Sequence, residues 1–137
     1  MIQTQIELKT NGRGLYRIDL DRYFKQNEIS LPPIGFVNAF IQHTSASLII
    51  QENADPSAKK DLEIFLDRLI PDGQNWHSHT LEGPDDTTAH MKSSITQTSM
   101  IIPVADSQLA LGRWQCLYLW EHRQAPNMRR ILLTVYP

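Results

Sequence analysis

Between Trp76 and His90 the chain reads WHSHTLEGPDDTTAH, which gathers three of its five histidines with Glu82, Asp85 and Asp86. Imidazole and carboxylate are ligands of zinc and similar divalent ions, and they are also the usual general acids and bases. His77 and His79 lie two apart, so an extended segment presents them on one face. His90 opens the next stretch, HMKSSI, and a loop bent at Gly83-Pro84 can double back so that two imidazoles converge. His-x-His is not a zinc signature of the HExxH kind. The same composition also describes a solvated polar loop in which Asp85 and Asp86 cap the next element. Lys92, Ser93 and Ser94 follow His90 directly, and an ammonium beside clustered hydroxyls can hold phosphate or sulfate.

The elements around this stretch read more conventionally. Ile2, Thr4, Ile6 and Leu8 alternate with polar residues, Asn11-Gly12-Arg13-Gly14 signals a turn, and Tyr16, Ile18 and Leu20 alternate again, so a first hairpin is expected. Residues 21–29 read as a short helix ended by Pro32-Pro33. Residues 34–51 read as one long strand with Ala46, Leu48 and Ile50 on a greasy face and His43, Ser45 and Ser47 on a polar one. The best helix runs over residues 56–70. Asp55 suits its N-cap and Pro56 its first turn, and Ala58, Leu62, Phe65, Leu66 and Leu69 form an apolar stripe expected to be buried. Further strands are expected at 99–104, 114–122 and 129–136. In the second of these, Trp114, Cys116, Tyr118 and Trp120 share one face and Leu117 and Leu119 the other, so it should be central. Glu121 at its end should be a buried partner for an arginine or a histidine. One long helix and no βαβ alternation make the fold α+β, a β-rich, mostly antiparallel sheet or sandwich.

A chain of 137 residues, 41% of them apolar, suits one domain spanning residues 1–137 with a real core. The start, MIQTQIELKT, lacks the basic flank and apolar run of a signal peptide, and no apolar run is long enough to cross a membrane. Cys116, the single cysteine, excludes an internal disulfide and is expected to be a buried, inert thiol. A soluble cytoplasmic protein is therefore expected. The formal net charge of -2 hides an asymmetry. Acids outnumber bases over residues 51–90, whereas residues 91–137 carry only Asp106 and Glu121 against Lys92, Arg113, Arg123, Arg129 and Arg130. No basic stripe with interleaved aromatics is present, so nucleic-acid binding is not expected.

Three blocks, HTSASLIIQENADP (43–56), LEGPDDTTAHMKSSI (81–95) and LALGRWQCLYLWEHR (109–123), resemble the signature blocks of the YjbQ family, also called UPF0047, and stand in that family's order. The resemblance covers essentially the whole chain. It implies a compact β-rich fold, a homotrimer, histidine-lined metal sites, and for some members a secondary thiamine-phosphate synthase activity. On the family's motifs, His43 takes the place of the HTSA histidine, Asp85 and Asp86 the acid pair, and His90 and Lys92 the histidine and lysine that follow. The chain departs from the pattern at Thr96-Gln97-Thr98-Ser99, where Gly-Pro-Ser is usual, at Arg113 in place of threonine, and at Cys116 in place of glycine. Arg113 adds a cation near a possible anion site.

Three functions are consistent with these residues. The first, implied by the resemblance, is a transferase that joins a pyrimidine pyrophosphate to a thiazole phosphate. In it Asp85 or Asp86 would hold Mg²⁺ and pyrophosphate, His90 would act as acid/base or ligand, and Lys92, Ser93, Ser94 and Arg113 would hold a small phosphorylated substrate. The second is a hydrolase with zinc on His43, His79 and His90. The third is a trimeric module that binds a metal or a small anion without turnover.

Overall fold

The computed structural model describes residues 1–137. Eight strands and three helices follow one another as β1 (Ile2–Asn11), β2 (Gly14–Ile18), α1 (Leu20–Gln26), β3 (Ile34–Ile41), β4 (Ala46–Glu52), α2 (Pro56–Leu69), α3 (Asp86–Ile95), β5 (Ser99–Ala105), β6 (Gln108–Leu109), β7 (Gln115–Glu121) and β8 (Pro126–Tyr136). They form a five-stranded sheet in the order β1-β8-β3-β5-β6 and a three-stranded sheet in the order β2-β7-β4. Every pairing is antiparallel. No helix is long and apolar enough to cross a membrane.

The alternating strands bury one face each, and the two sheets meet through those faces. Val37, Ala39 and Ile41 of β3, Ile102 and Val104 of β5, and Ile131, Leu133 and Val135 of β8 share a core with Leu48 of β4 and Leu117 and Leu119 of β7. Strand β7 is central in the smaller sheet, as its two apolar faces predict. Its second face, Cys116, Tyr118 and Trp120, packs with Leu15 and with Leu66 of α2. Helix α2 therefore forms a third layer.

Four expectations are corrected. Strands β1 and β2 do not pair. β1 joins β8 and β2 joins β7, so the turn between them carries the chain from one sheet to the other. Gly12 makes that turn possible, with φ of +116° and a backbone carbonyl 3.0 Å from where a Cβ would sit. The segment 34–51 is not one strand. It breaks over Gln42–Ser45 and again changes sheets. The stripe on α2 is only partly buried: Leu66 is 2% exposed, but Phe65 and Leu69 are 57% and 55% exposed. The reason is that the helix meets a sheet only three strands wide, which offers it little beyond Leu15, Tyr118 and Trp120. Finally, α2 is not alone. Residues 86–95, expected as a loop running into a new stretch, form α3.

Candidate functional site

Helix α3 organises the site. Gly83, at φ of +97°, closes a turn in which its N–H donates to the Thr80 carbonyl at 3.3 Å, and Pro84 leads into Asp85 at the helix N-cap. Side chains four apart on a helix stand on one face, so Asp86 and His90 are brought together by the helix itself. The loop before the turn lays His79 beside them. Asp86 Oδ2 lies 2.7 Å from His79 Nε2 and 3.2 Å from His90 Nε2, and the two imidazole rings are 5.6 Å apart. Glu82 Oε2 is 3.3 Å from the same His79 nitrogen. The Nδ1 of His90 is 3.0 Å from the Thr44 carbonyl. A carbonyl only accepts, so Nδ1 carries a hydrogen and, in the neutral ring, Nε2 is a bare lone pair turned toward the carboxylate.

Arg123 holds the acid pair in place. Its guanidinium donates to Asp85 Oδ2 at 3.1 Å, to Asp86 Oδ1 at 2.5 Å and to the Glu82 carbonyl at 3.0 Å. Burial alone would raise the Asp86 carboxyl, but the His79 hydrogen bond and the charges of His90 and Arg123 outweigh it and hold it below the usual range. Asp85 is likewise held low, by the Gln124 backbone N–H and Arg123 against the effect of burial. Arg123 is itself set by Glu121, whose Oε2 accepts from the backbone N–H groups of His122 and Arg123. Glu121 is fully buried and paired with Arg129 through two bonds of 2.7 Å, and Thr10 adds a third at 2.6 Å. The expected buried arginine partner of Glu121 is thus Arg129.

The opposite face of α3 is polar as well. Thr88 and Lys92 are 0% exposed. Lys92 Nζ donates to Asp67 of α2 at 2.5 Å, and Thr88 Oγ1 donates to Asp72. Arg13 joins both acids, bidentate to Asp72 and 3.6 Å from Asp67. This network fastens α3 to α2 and to the β1–β2 turn. Burial lowers the Lys92 pKa against the pull of Asp67. His122, which accepts or donates at 2.9 Å to Ser47 Oγ, is pushed down to about 3 by burial and then by Lys92, Arg13 and Arg129, and is neutral.

The residues singled out in the sequence therefore separate. His79, Asp86 and His90 converge. His43 is exposed, lies in the β3–β4 connection rather than on a strand, and accepts the Ser45 N–H at its Nδ1 (3.0 Å), so it is not in the cluster. Burial and then the charge of Arg129 lower its pKa. Asp85 is spent on Arg123 and Gln124 rather than turned to the imidazoles. Ser93 and Ser94 share the His90 face and line an open recess of about 870 Å³ with Phe40, Gln42, His43, Thr44 and Thr98. Lys92 does not join them, because residues two apart on a helix point in opposite directions. Arg113 stacks over Trp114 beyond the other end of β7 from Glu121. Seven strand residues place it roughly 20 Å away. The expected anion set of Lys92, Ser93, Ser94 and Arg113 is not assembled within this chain. His77 lies beside His79 in a polar crevice. Glu82, singled out with the histidines, does lie beside His79, whereas the places of Arg123 and Asp67 carried no such signal. The one signal for Arg123 was its place two residues after a buried carboxylate.

A family model described as "UPF0047 protein YjbQ-like" matches residues 4–137. The chain is 36% identical over 133 residues to the UPF0047 protein YjbQ of Escherichia coli O157:H7, covering 97% of this chain and 96% of that one. It is 48% identical over 101 residues to a UPF0047 protein of Synechocystis, covering 74% and 69%. Among solved structures it resembles a conserved hypothetical protein of Thermus thermophilus (TM-score 0.82, 30% identity, 97% and 99% covered) and a hypothetical protein of Aeropyrum pernix (0.85, 25%, 99% and 98%). With the family model matching residues 4–137 and a relative 36% identical over nearly the full length of both chains, the chain belongs to the UPF0047 YjbQ-like family.

Proposed function

We propose that this protein is a metal-dependent hydrolase whose divalent ion is held by His79, Asp86 and His90, with Glu82 within reach. One observation carries the reading. His90 Nε2 faces the Asp86 carboxylate at 3.2 Å while Nδ1 gives its hydrogen to the Thr44 carbonyl, so in the neutral ring two electron-rich atoms meet there, and a divalent ion, or a proton in its absence, joins them. One ligating atom from each of the three side chains lies within 4.8 Å of the others, as two imidazoles and a carboxylate around one ion require. Imidazole donors favour Zn²⁺ and its first-row neighbours over Mg²⁺, which takes oxygen ligands. The groups behind the ligands fit as well. The Thr44 carbonyl fixes the His90 ring, and Arg123 fixes the Asp86 carboxylate. A bound ion of this kind supplies Lewis-acid polarisation and a water ionised near neutral pH. The chain's own part is to hold the ligands, orient them from outside, and leave the recess beside His90 open to a small substrate, which we take to be phosphorylated.

The test is metal content. Purified protein refolded or dialysed against Zn²⁺ should hold one ion per chain, and His79→Ala and His90→Ala should each lose it while remaining folded by circular dichroism. Stoichiometric zinc in both variants would refute the site.

The transferase reading needs cations around a pyrophosphate. Lys92 and Arg113 do not provide them here, so that reading rests on the metal cluster alone. We further propose a cytoplasmic homotrimer, in which apolar side chains left outside the core, such as Phe65, Leu69 and Ile95, find cover. A solution mass by light scattering equal to one 15.8 kDa chain would remove the trimer.

A further inference from the structure

We infer that His43 is a hydrogen-bond donor to the bound ligand, not a ligand to the metal. Its Nε2–H would meet an anionic oxygen, phosphoryl or carboxylate, in the recess beside His90. The inference rests on the metal reading for where that oxygen sits, and on the geometry of His43 for the donor.

The Ser45 backbone N–H donates to His43 Nδ1 at 3.0 Å. That bond uses the Nδ1 lone pair, fixes the direction of the ring, and leaves the hydrogen of the neutral imidazole on Nε2. An ion at His79 or His90 Nε2 would replace a proton shared with Asp86, whereas His43 Nε2 can ligate only if its hydrogen moves to Nδ1, which breaks the Ser45 bond. The same short connection serves the other imidazole, because the Thr44 carbonyl accepts from His90 Nδ1. Residues 43–45 therefore set the two rings in opposite tautomers: His90 with its lone pair outward, His43 with its N–H outward. Both rings line one recess. Two of the hydroxyls in that recess are already committed: Ser93 Oγ donates to the Ala46 carbonyl at 3.4 Å and Ser94 Oγ to the Met91 carbonyl at 2.6 Å. No carboxylate is among its lining residues, so an anionic oxygen there meets a fixed donor.

Two measurements decide the matter. In long-range ¹H–¹⁵N spectra of the metal-free full chain, His43 should show the Nε2–H tautomer. The Nδ1–H tautomer would overturn the proposal whether or not the protein takes metal. In zinc and phosphate titrations, His43→Ala should keep zinc affinity within about threefold, while His90→Ala loses about a hundredfold or more. Inorganic phosphate should bind the zinc form of His43→Ala at least about tenfold more weakly than wild type, the loss expected for one hydrogen bond to a charged group. His43→Gln, which keeps an N–H donor, should recover part of it. Zinc loss in His43→Ala as severe as in His90→Ala would make His43 a ligand, and unchanged phosphate affinity would remove the donor. Wild-type protein that binds no zinc defeats the metal reading. His43 is then judged on its tautomer and on whether His43→Ala weakens phosphate binding to the metal-free chain.

Discussion

Asp86 and His90 stand one helical turn apart on α3, with Oδ2 of the acid 3.2 Å from Nε2 of the histidine. That spacing makes the pair a property of the helix rather than of loop closure, and only His79 has to be brought in from outside. Asp86→Asn keeps the shape and removes the charge. It should lower zinc affinity about a hundredfold, measured by competition with a chromophoric chelator, and change the urea midpoint little, because Arg123 keeps Asp85 and the Glu82 carbonyl. Since binding needs imidazole lone pairs free of protons, wild-type affinity should also weaken in acid. Zinc affinity equal to wild type in Asp86→Asn would place the ion elsewhere.

Lys92 should be dispensable for the metal. It is fully buried on the far face of α3, and its partner Asp67 is 46% exposed. Lys92→Met replaces a buried charge with a volume-matched apolar chain and leaves Asp67 to water, so stability should be unchanged or higher. Zinc and phosphate affinities should match wild type. A phosphate affinity that drops in this variant would restore the anion role that its sequence position implied.

Glu121→Gln should be costly. It leaves Arg129, 2% exposed, as a buried cation without its bidentate partner. A loss of roughly 3–5 kcal/mol is expected from denaturant titration. Arg123 should also be displaced, because Glu121 holds its backbone N–H, so zinc affinity should fall with stability. A variant as stable as wild type would mean that Arg129 has another partner.

His122 should make stability depend on pH. Its pKa falls from 6.5 unfolded to about 3 folded. Between those values the unfolded chain binds a proton that the folded chain refuses, so stability is full above about 6.5 and is lost as pH falls toward 3. The whole window is worth at most roughly 5 kcal/mol. Asp72, Asp85 and Asp86, all lowered, add losses of the same direction below about 4. His122→Gln should flatten the slope of the urea midpoint between about pH 6.5 and 4.5. An unchanged slope would show that His122 titrates normally.

What the sequence alone determined are the parts whose signal is local. Alternation marked β1 and β2, strand-forming runs marked β5 and β8, and the two apolar faces of Gln115–Glu121 marked the central strand. Asp55-Pro56 marked the start of α2, where the Asp55 side chain accepts the Ser57 N–H. Residue chemistry pointed to His79 and His90. Helix α3 escaped because its buried face is Asp85, Thr88, Ala89 and Lys92. Periodicity detects a helix by its apolar stripe, and here ion pairs and hydrogen bonds take the place of that stripe.

Only the tertiary structure decided which polar residues meet. Within α3, the helical rotation put Asp86 and His90 together and sent Lys92 the other way. The break over Gln42–Ser45 took His43 off its strand and turned its Nδ1 to the Ser45 N–H. The length of β7 separated Arg113 from the site that its charge had suggested. Arg123 and Asp86 are paired across 37 positions of sequence. Hydrophobic patterning carries no record of such pairs, because the partner of a polar atom depends on distance and direction in space, and a linear spacing encodes neither until the sheets and helices are in place.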